Sequence, residues 1–224
     1  MKKQKRFFHK ELESLRNQLA LMGEKTCDAL EVALKALFVH DEAILGDIRK
    51  RDDAIDQLEM DIDQESIRYI TLRAPVASDL RLVTVSMKIS HELERAADEA
   101  SSVARRAKKI LQTSPVENLF SLSEMAKIVQ EMMRDAIESF LNEDGLKALA
   151  ICRRDKDVDH LNHLNVKTMT QYIMESPDQS QIGIELIFIS KSLERIADHA
   201  TNIAVEVVFL HSGEDVRHTP VLKE

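Results

Sequence analysis

The sequence predicts an all-α protein of two tandem three-helix bundles, six long antiparallel helices related by an internal pseudo-repeat. Three observations predict it. Only 5 Gly and 4 Pro occur in 224 residues, with 4% aromatics, so helix formers dominate and turn residues are scarce. Apolar side chains recur at three- and four-residue spacing through long segments, the period of an amphipathic helix. The stretch His91-Glu92-Leu93-Glu94-Arg95-Ala96-Ala97-Asp98-Glu99-Ala100 returns one hundred residues later as Lys191-Ser192-Leu193-Glu194-Arg195-Ile196-Ala197-Asp198-His199-Ala200.

The periodicity places the helices of the first half at about Phe7 to Val39, Asp41 to Leu72 and Ser78 to Leu111. Pro75 ends the second of these, and Ser78 is the expected N-cap of the third. Gln112-Thr113-Ser114-Pro115 reads as the joint between halves. The second half repeats the order with helices at about Asn118 to Asn142, Asp144 to Glu175 and Gln179 to Leu210, where Ser176-Pro177 supplies a cap and a first-turn proline. Domains are therefore expected at 1–112 and 113–212, followed by a tail, 213–224, in which Gly213 and Pro220 leave the helical pattern. Short polar connections imply antiparallel neighbours, and 44% hydrophobic residues suffice for a sizeable core.

The formal charge of -8 argues against nucleic acid as a partner, because such interfaces take much of their affinity from a basic face. Cys27 and Cys152 form no Cys-x-x-Cys pair and read as small apolar residues, not as thiolate ligands. The basic start Lys2-Lys3-Gln4-Lys5-Arg6 has no apolar run behind it, so a cytoplasmic protein is expected. The most apolar window, Ile182 to Ile189, is short and contains Glu185, so no membrane span is expected. That basic start and Arg105-Arg106-Ala107-Lys108-Lys109 read as solvated faces; contact with anionic lipid, a peripheral association at most, is the second reading.

The chemistry is expected in the carboxylates. Glu94 and Asp98 are i and i+4 neighbours on a stripe with Val83, Met87, Ser90 and Ser101; Glu194 and Asp198 share theirs with Ile187, Ser190, Thr201, Val205 and Val208. Both pairs thus point toward the bundle. On the preceding helix Asp52, Asp56, Glu59 and Asp63 form a stripe, which taken alone reads first as a solvated face and second as a ligand set; Asp155, Asp159 and Asn162 answer it in the second half. Like charges brought together in reduced dielectric repel or protonate, so a cation is the expected counter-charge. All-oxygen ligation suits magnesium, manganese, calcium or ferric iron. Ser101 and Thr201 read as packing residues, and His199 and Asn202 as either further ligands or solvent-facing residues.

At these residues the chain resembles the PhoU family of bacterial phosphate-signalling regulators over nearly its whole length. Leu72-Arg73-Ala74-Pro75-Val76-Ala77-Ser78-Asp79-Leu80-Arg81 is similar to the family's turn before the third helix, and Asp215-Val216-Arg217-His218 to its C-terminal end. The two Glu-x-x-x-Asp sites with their preceding Asp-x-x-x-Asp pairs match its repeated metal motif. The resemblance implies that Asp52, Asp56, Glu94 and Asp98 hold one metal or metal cluster, and Asp155, Asp159, Glu194 and Asp198 another, with Glu59, Asn162, His199 and Asn202 as candidate additional ligands. Iron, zinc, magnesium and manganese are the metals it implies. Where the family has Gly, this chain has Ala97 and Ala197, whose methyls are expected to narrow helix approach near the site; Ser102 replaces an Asn that Asn202 retains.

The resemblance further implies a non-enzymatic adaptor between the phosphate ABC transporter ATPase and a phosphate-sensing histidine kinase, damping uptake and the starvation response when phosphate is ample. A homodimer is left open. The competing class is a ferritin-like di-iron carboxylate oxidase, whose Glu-x-x-His pairs this sequence lacks.

Overall fold

The helix ends are set by short polar side chains and a few residues of left-handed backbone. In the computed structural model, which describes residues 2–113 and 120–216, the α-helices are α1 (Lys2–Val39), α2 (Ile48–Arg73), α3 (Ala77–Leu111), α4 (Phe120–Asn142), α5 (Gly145–Glu175) and α6 (Ser180–Ser212). Asp47 caps α2 by accepting from the backbone N–H of Lys50 at 3.1 Å, and Asp144 caps α5 by accepting from Leu146 and Lys147. At the far end of α6, Gly213 sits at φ +78°, a left-handed conformation that closes the helix by donating to the Phe209 carbonyl. The Ser114-Pro115 part of the joint, the side chains of the basic start, Pro220 and the Arg217-His218 end of the C-terminal likeness lie outside the described residues.

Three boundaries differ from the sequence expectation. The helix expected to run on from Asp41 is interrupted: Asp41 caps a short 3₁₀ turn, Glu42–Leu45, and Gly46 at φ +56° breaks the chain before α2 begins. Ser78 is not the cap of α3, because the helix already starts at Ala77 and no side chain caps it. Ser176 makes no capping hydrogen bond either; Pro177 opens a 3₁₀ turn, Pro177–Gln179, that leads into α6. In each case a tight turn takes up residues that a continuous 3.6-residue pattern assigns to the helix.

Helices α1, α2 and α3 pack together, as do α4, α5 and α6, while α3 lies antiparallel along α6 and α1 touches α4. One continuous hydrophobic core therefore runs through both three-helix units, from Leu19, Leu30 and Ile89 to Met125, Phe140 and Ile189. Ala96, Ala97, Ala100, Ala197 and Ala200 are buried along α3 and α6, small side chains that let helix axes approach closely. The methyls of Ala97 and Ala197 thus lie in this core.

Polar contacts fix the register of α3 on α6. Lys88 Nζ donates to both carboxylate oxygens of Glu206, at 2.9 and 3.0 Å, near one end of the pair. Near the other end, Arg106 and Lys109 each donate at 2.8 Å to the buried carboxylate of Glu185. Burial pushes Glu185 up, but these two hydrogen bonds outweigh it and hold its carboxyl below the ordinary range. Much of the basic run is thereby paired with acids of the same chain while keeping its solvent-facing position, since Lys108 also pairs with Glu42 at 3.1 Å. Among the described residues no helix is long and apolar enough to cross a membrane.

Candidate metal centres

Two acidic seams result from this packing, one between α2 and α3 and one between α5 and α6. Helix α2 lays Ile55 and Ile62 into the core, so Asp52, Asp56, Glu59 and Asp63 fall at the rim where α2 meets α3. Helix α5 does the same with Val158 and Leu161, leaving Asp155 and Asp159 at the rim of α6. The motif residues of α3 and α6, Glu94 with Asp98 and Glu194 with Asp198, face these rims.

The seams are open to solvent, which corrects the expectation that the Glu-x-x-x-Asp pairs of α3 and α6 point into a packed interior and agrees with the solvated-face reading of the α2 stripe. Asp52, Glu94, Asp155 and Glu194 are half-buried, and Asp56, Asp98, Asp159 and Asp198 are exposed. Their helices bury alanine and β-branched or leucine neighbours instead, so a charged residue one position off the apolar line emerges at the seam's edge.

Crowding persists despite the solvent. Asp56 is pushed above its ordinary range by partial burial and by the charges of Asp52 and Asp98; Glu94 is pushed up by burial, Asp98 and Glu59. In the second seam burial and Asp159 raise Asp155, and burial with Asp155, Glu194 and Asp159 pushes Asp198 up to about 6. Each seam therefore brings its motif carboxylates close enough to repel one another. The nearest cations sit on the same helices: Arg95 Nε lies 3.5 Å from Glu94, and Lys191 Nζ 3.2 Å from Glu194.

Two hydroxyls expected only to pack take part. Ser101 Oγ donates to Asp52 Oδ1 at 2.8 Å, and Thr201 Oγ1 donates to Asp155 Oδ1 at 3.4 Å. They occupy equivalent positions in the repeat and steady the first aspartate of each seam; the signal was their place on the same stripe as the Glu-x-x-x-Asp pair.

Three of the candidate additional ligands go elsewhere. His199 Nδ1 lies 2.7 Å from Glu92 Oε2 of α3, and Asn202 donates to the same oxygen at 3.1 Å. Asn162 is buried and accepts from Ser190 at 2.9 Å, inside a network that also holds Asn165 and Ser121. Glu59, by contrast, stays in the first seam. Among the described residues, the tightest gathering of three or more candidate donor atoms is Glu59, His91 and Glu94, all within 4.8 Å of one another. The motif carboxylates themselves are spaced more widely.

A duplicated three-helix unit with an acidic Asp-x-x-x-Asp and Glu-x-x-x-Asp seam in each copy defines a class of helical proteins with carboxylates gathered at equivalent places. The PhoU domain model matches the chain twice, over residues 19–107 and 122–207. A phosphate-specific transport system accessory protein PhoU homolog of Pseudomonas aeruginosa is 38% identical over 213 residues, spanning 94% of this chain and 88% of that one. The Aquifex aeolicus homolog is 36% identical over 209 residues, 93% of this chain and 95% of its own. The crystal structure of PhoU from Pseudomonas aeruginosa superposes with a TM-score of 0.88 at 36% identity, covering 92% of this chain and 100% of that one. The phosphate transport system regulatory protein PhoU of Streptococcus pneumoniae gives 0.84 at 28% identity, covering 93% and 99%. The chain belongs to the PhoU family.

Proposed function

We propose that this protein is a metal-binding, non-enzymatic regulator of phosphate uptake and phosphate-starvation signalling. It acts in the cytoplasm as an adaptor between the ATPase of a phosphate ABC transporter and a phosphate-sensing histidine kinase, restraining both when phosphate is ample. The observation that carries this reading is the nearly full-length likeness to relatives named as accessory proteins of phosphate-specific transport.

The donor set of each seam fits a cation. Burial, together with the charges of Asp155, Glu194 and Asp159, lifts Asp198 to about 6, and a dication would relieve the repulsive part of that without protonation. Asp52, Asp56, Glu94 and Asp98 would hold it in the first seam, and Asp155, Asp159, Glu194 and Asp198 in the second, drawn from iron, zinc, magnesium or manganese and from one ion or a cluster. The bound charge supplies an electrostatic tie between α2 and α3, or α5 and α6. The chain's own residues prepare that tie: Ser101 and Thr201 orient the first aspartates, and the α3–α6 ion pairs hold the two seams in fixed relation. A di-iron oxidase encloses its carboxylates at a bundle centre, whereas these seams open to water.

The test is co-purification. Purified protein is expected to carry metal by elemental analysis, to lose thermal stability on chelation, and to retain the transporter ATPase or the sensor kinase on an affinity column. Capture of neither partner with metal-loaded protein counts against the adaptor role; metal-free protein whose melting ignores chelator and added metal counts against the cation sites.

A further inference from the structure

The repeat lets one half serve as a control for the other, and at one position they differ in chemistry. In the first half α2 offers Glu59 and Asp63, and α3 offers His91 one turn before Glu94. At the equivalent places the second half has Asn162, Val166, Lys191 and Glu194. There Asn162 is buried and bonded to Ser190, and the Lys191 ammonium lies against Glu194 at 3.2 Å. That ammonium neutralises the end of the second seam. In the first, the imidazole of His91 stands with Nδ1 3.2 Å from Glu59 Oε1, and the donor atoms of Glu59, His91 and Glu94 lie within 4.8 Å of one another.

We propose that Glu59, His91 and Glu94 form an additional metal site in the first half alone, selective for a borderline transition dication such as zinc or ferrous iron over magnesium or calcium. The reason is ligand type. Neutral imidazole is a good donor to zinc and ferrous iron and a poor one to the hard dications, which take oxygen. His91 and Glu94 are i and i+3 on one helix, so they share a face, and Glu59 reaches them from the neighbouring helix. Nitrogen and oxygen ligands of a tetrahedral zinc ion stand about 3.3 Å apart, so side-chain rotations that draw these donors in by about 1.5 Å at most close the group around one. Three protein ligands leave a coordination position for water or a neighbouring carboxylate. Glu94 belongs to this group and to the motif set, so the new site adjoins the seam's own cation. The competing account is an ordinary exposed His91–Glu59 ion pair.

The inference rests on the reading of the seams as cation sites, and the experiment separates the two. Zinc and, separately, magnesium are bound to the full-length wild-type protein, to His91→Ala, to Glu59→Gln and to Lys191→Ala, with stoichiometry measured by elemental analysis after gel filtration. Wild type is expected to bind one more equivalent of zinc than His91→Ala or Glu59→Gln, with no change in magnesium; Lys191→Ala keeps the extra zinc. Cobalt substituted at the extra site shows a nitrogen-ligand absorption signature that His91→Ala loses. Wild-type zinc stoichiometry in both His91→Ala and Glu59→Gln overturns the proposal, as does equal loss of magnesium or a wild type that binds no zinc. Glu194→Ala with Asp198→Ala reports on the motif sites alone: unchanged metal there rejects the motif assignment and leaves the His91 result to be judged on its own. Circular dichroism of each variant establishes that its helices are formed.

Discussion

Replacing Asp198 by Asn tests the electrostatics of the second seam directly. The side chain keeps its shape and loses its charge. In the metal-free protein the Asp198 carboxyl is pushed from 3.8 up to about 6 by burial and by Asp155, Glu194 and Asp159. An acid whose folded pKa is raised binds its proton more tightly in the folded state, so its contribution turns unfavourable as pH climbs from about 4 to 6 and stays so above. A fully shielded group displaced this far would cost about 3 kcal/mol at neutral pH. Asp198 keeps much of its surface in water, and solvent screening reduces the figure to about 1 kcal/mol. Asp198→Asn is therefore expected to raise the melting temperature of chelated protein at pH 7.5 by about 2–4 °C. At pH 5 the gain shrinks, because the wild-type group is then largely protonated. Added metal reverses the order, since wild type gains binding free energy that the variant forfeits. The assay is a set of thermal melts at both pH values with EDTA and with metal. A chelated variant less stable than wild type at pH 7.5, or a gain that grows toward pH 5, would refute the crowding argument.

Removing the Ser101 hydroxyl, which donates to Asp52 at 2.8 Å, should weaken metal binding in the first seam by about 10-fold or more in a calorimetric titration; Thr201→Ala, acting over 3.4 Å, should do less in the second. Glu185→Ala strands Arg106 and Lys109 and should cost about 2–3 kcal/mol in denaturant melts at pH 7. Because the folded pKa of Glu185 is lowered, wild type's advantage over that variant is present at neutral pH and declines as pH falls through the carboxylate range. Hydrogen exchange should slow on metal addition chiefly in α2 and α5, the helices that pack only within their own unit; protection confined to α3 and α6 would contradict this.

Helix number, order and most boundaries were legible because a 3.6-residue apolar period over twenty or more residues leaves few alternatives. The breaks were less so. Nothing in the pattern distinguishes Gly46 inside a helix from Gly46 at positive φ, and it is the second that splits the Asp41–Leu72 stretch into a turn and α2. The duplicated Glu-x-x-x-Asp fixed a face but not a depth. Periodicity says that Glu94 and Asp98 point the same way; whether that direction is the core or its rim depends on how α2 lies against α3, which involves residues more than thirty positions away. Cross-helix register has the same character: His199 and Asn202 share α6 with Asp198, yet their partner Glu92 is on α3 and could be named only once the two helices were docked. The His91-x-x-Glu94 spacing was in plain view and marked a shared helical face, but Glu59 completes it from another element.

The rim position of the acids changes what a cation does here. In a buried site the ion is required by the fold, because uncompensated charge in the interior is severely unfavourable. At an open seam the unloaded state is tolerated: water screens the acids, protons supply part of the compensation, and the core through Ile89, Leu93, Ile189 and Leu193 does not depend on the ion. Under the proposed reading, loading would adjust how tightly α2 and α5 are held to α3 and α6 without deciding whether the helices form. Those outer helices are tied by few cross-unit contacts, while α3 and α6 are clamped to each other by Glu206, Glu185 and Glu92. A reversible charge placed between this spine and a helix that packs only within its own unit would change the surface presented to a partner while leaving the scaffold unaltered, which is the property a regulatory adaptor needs.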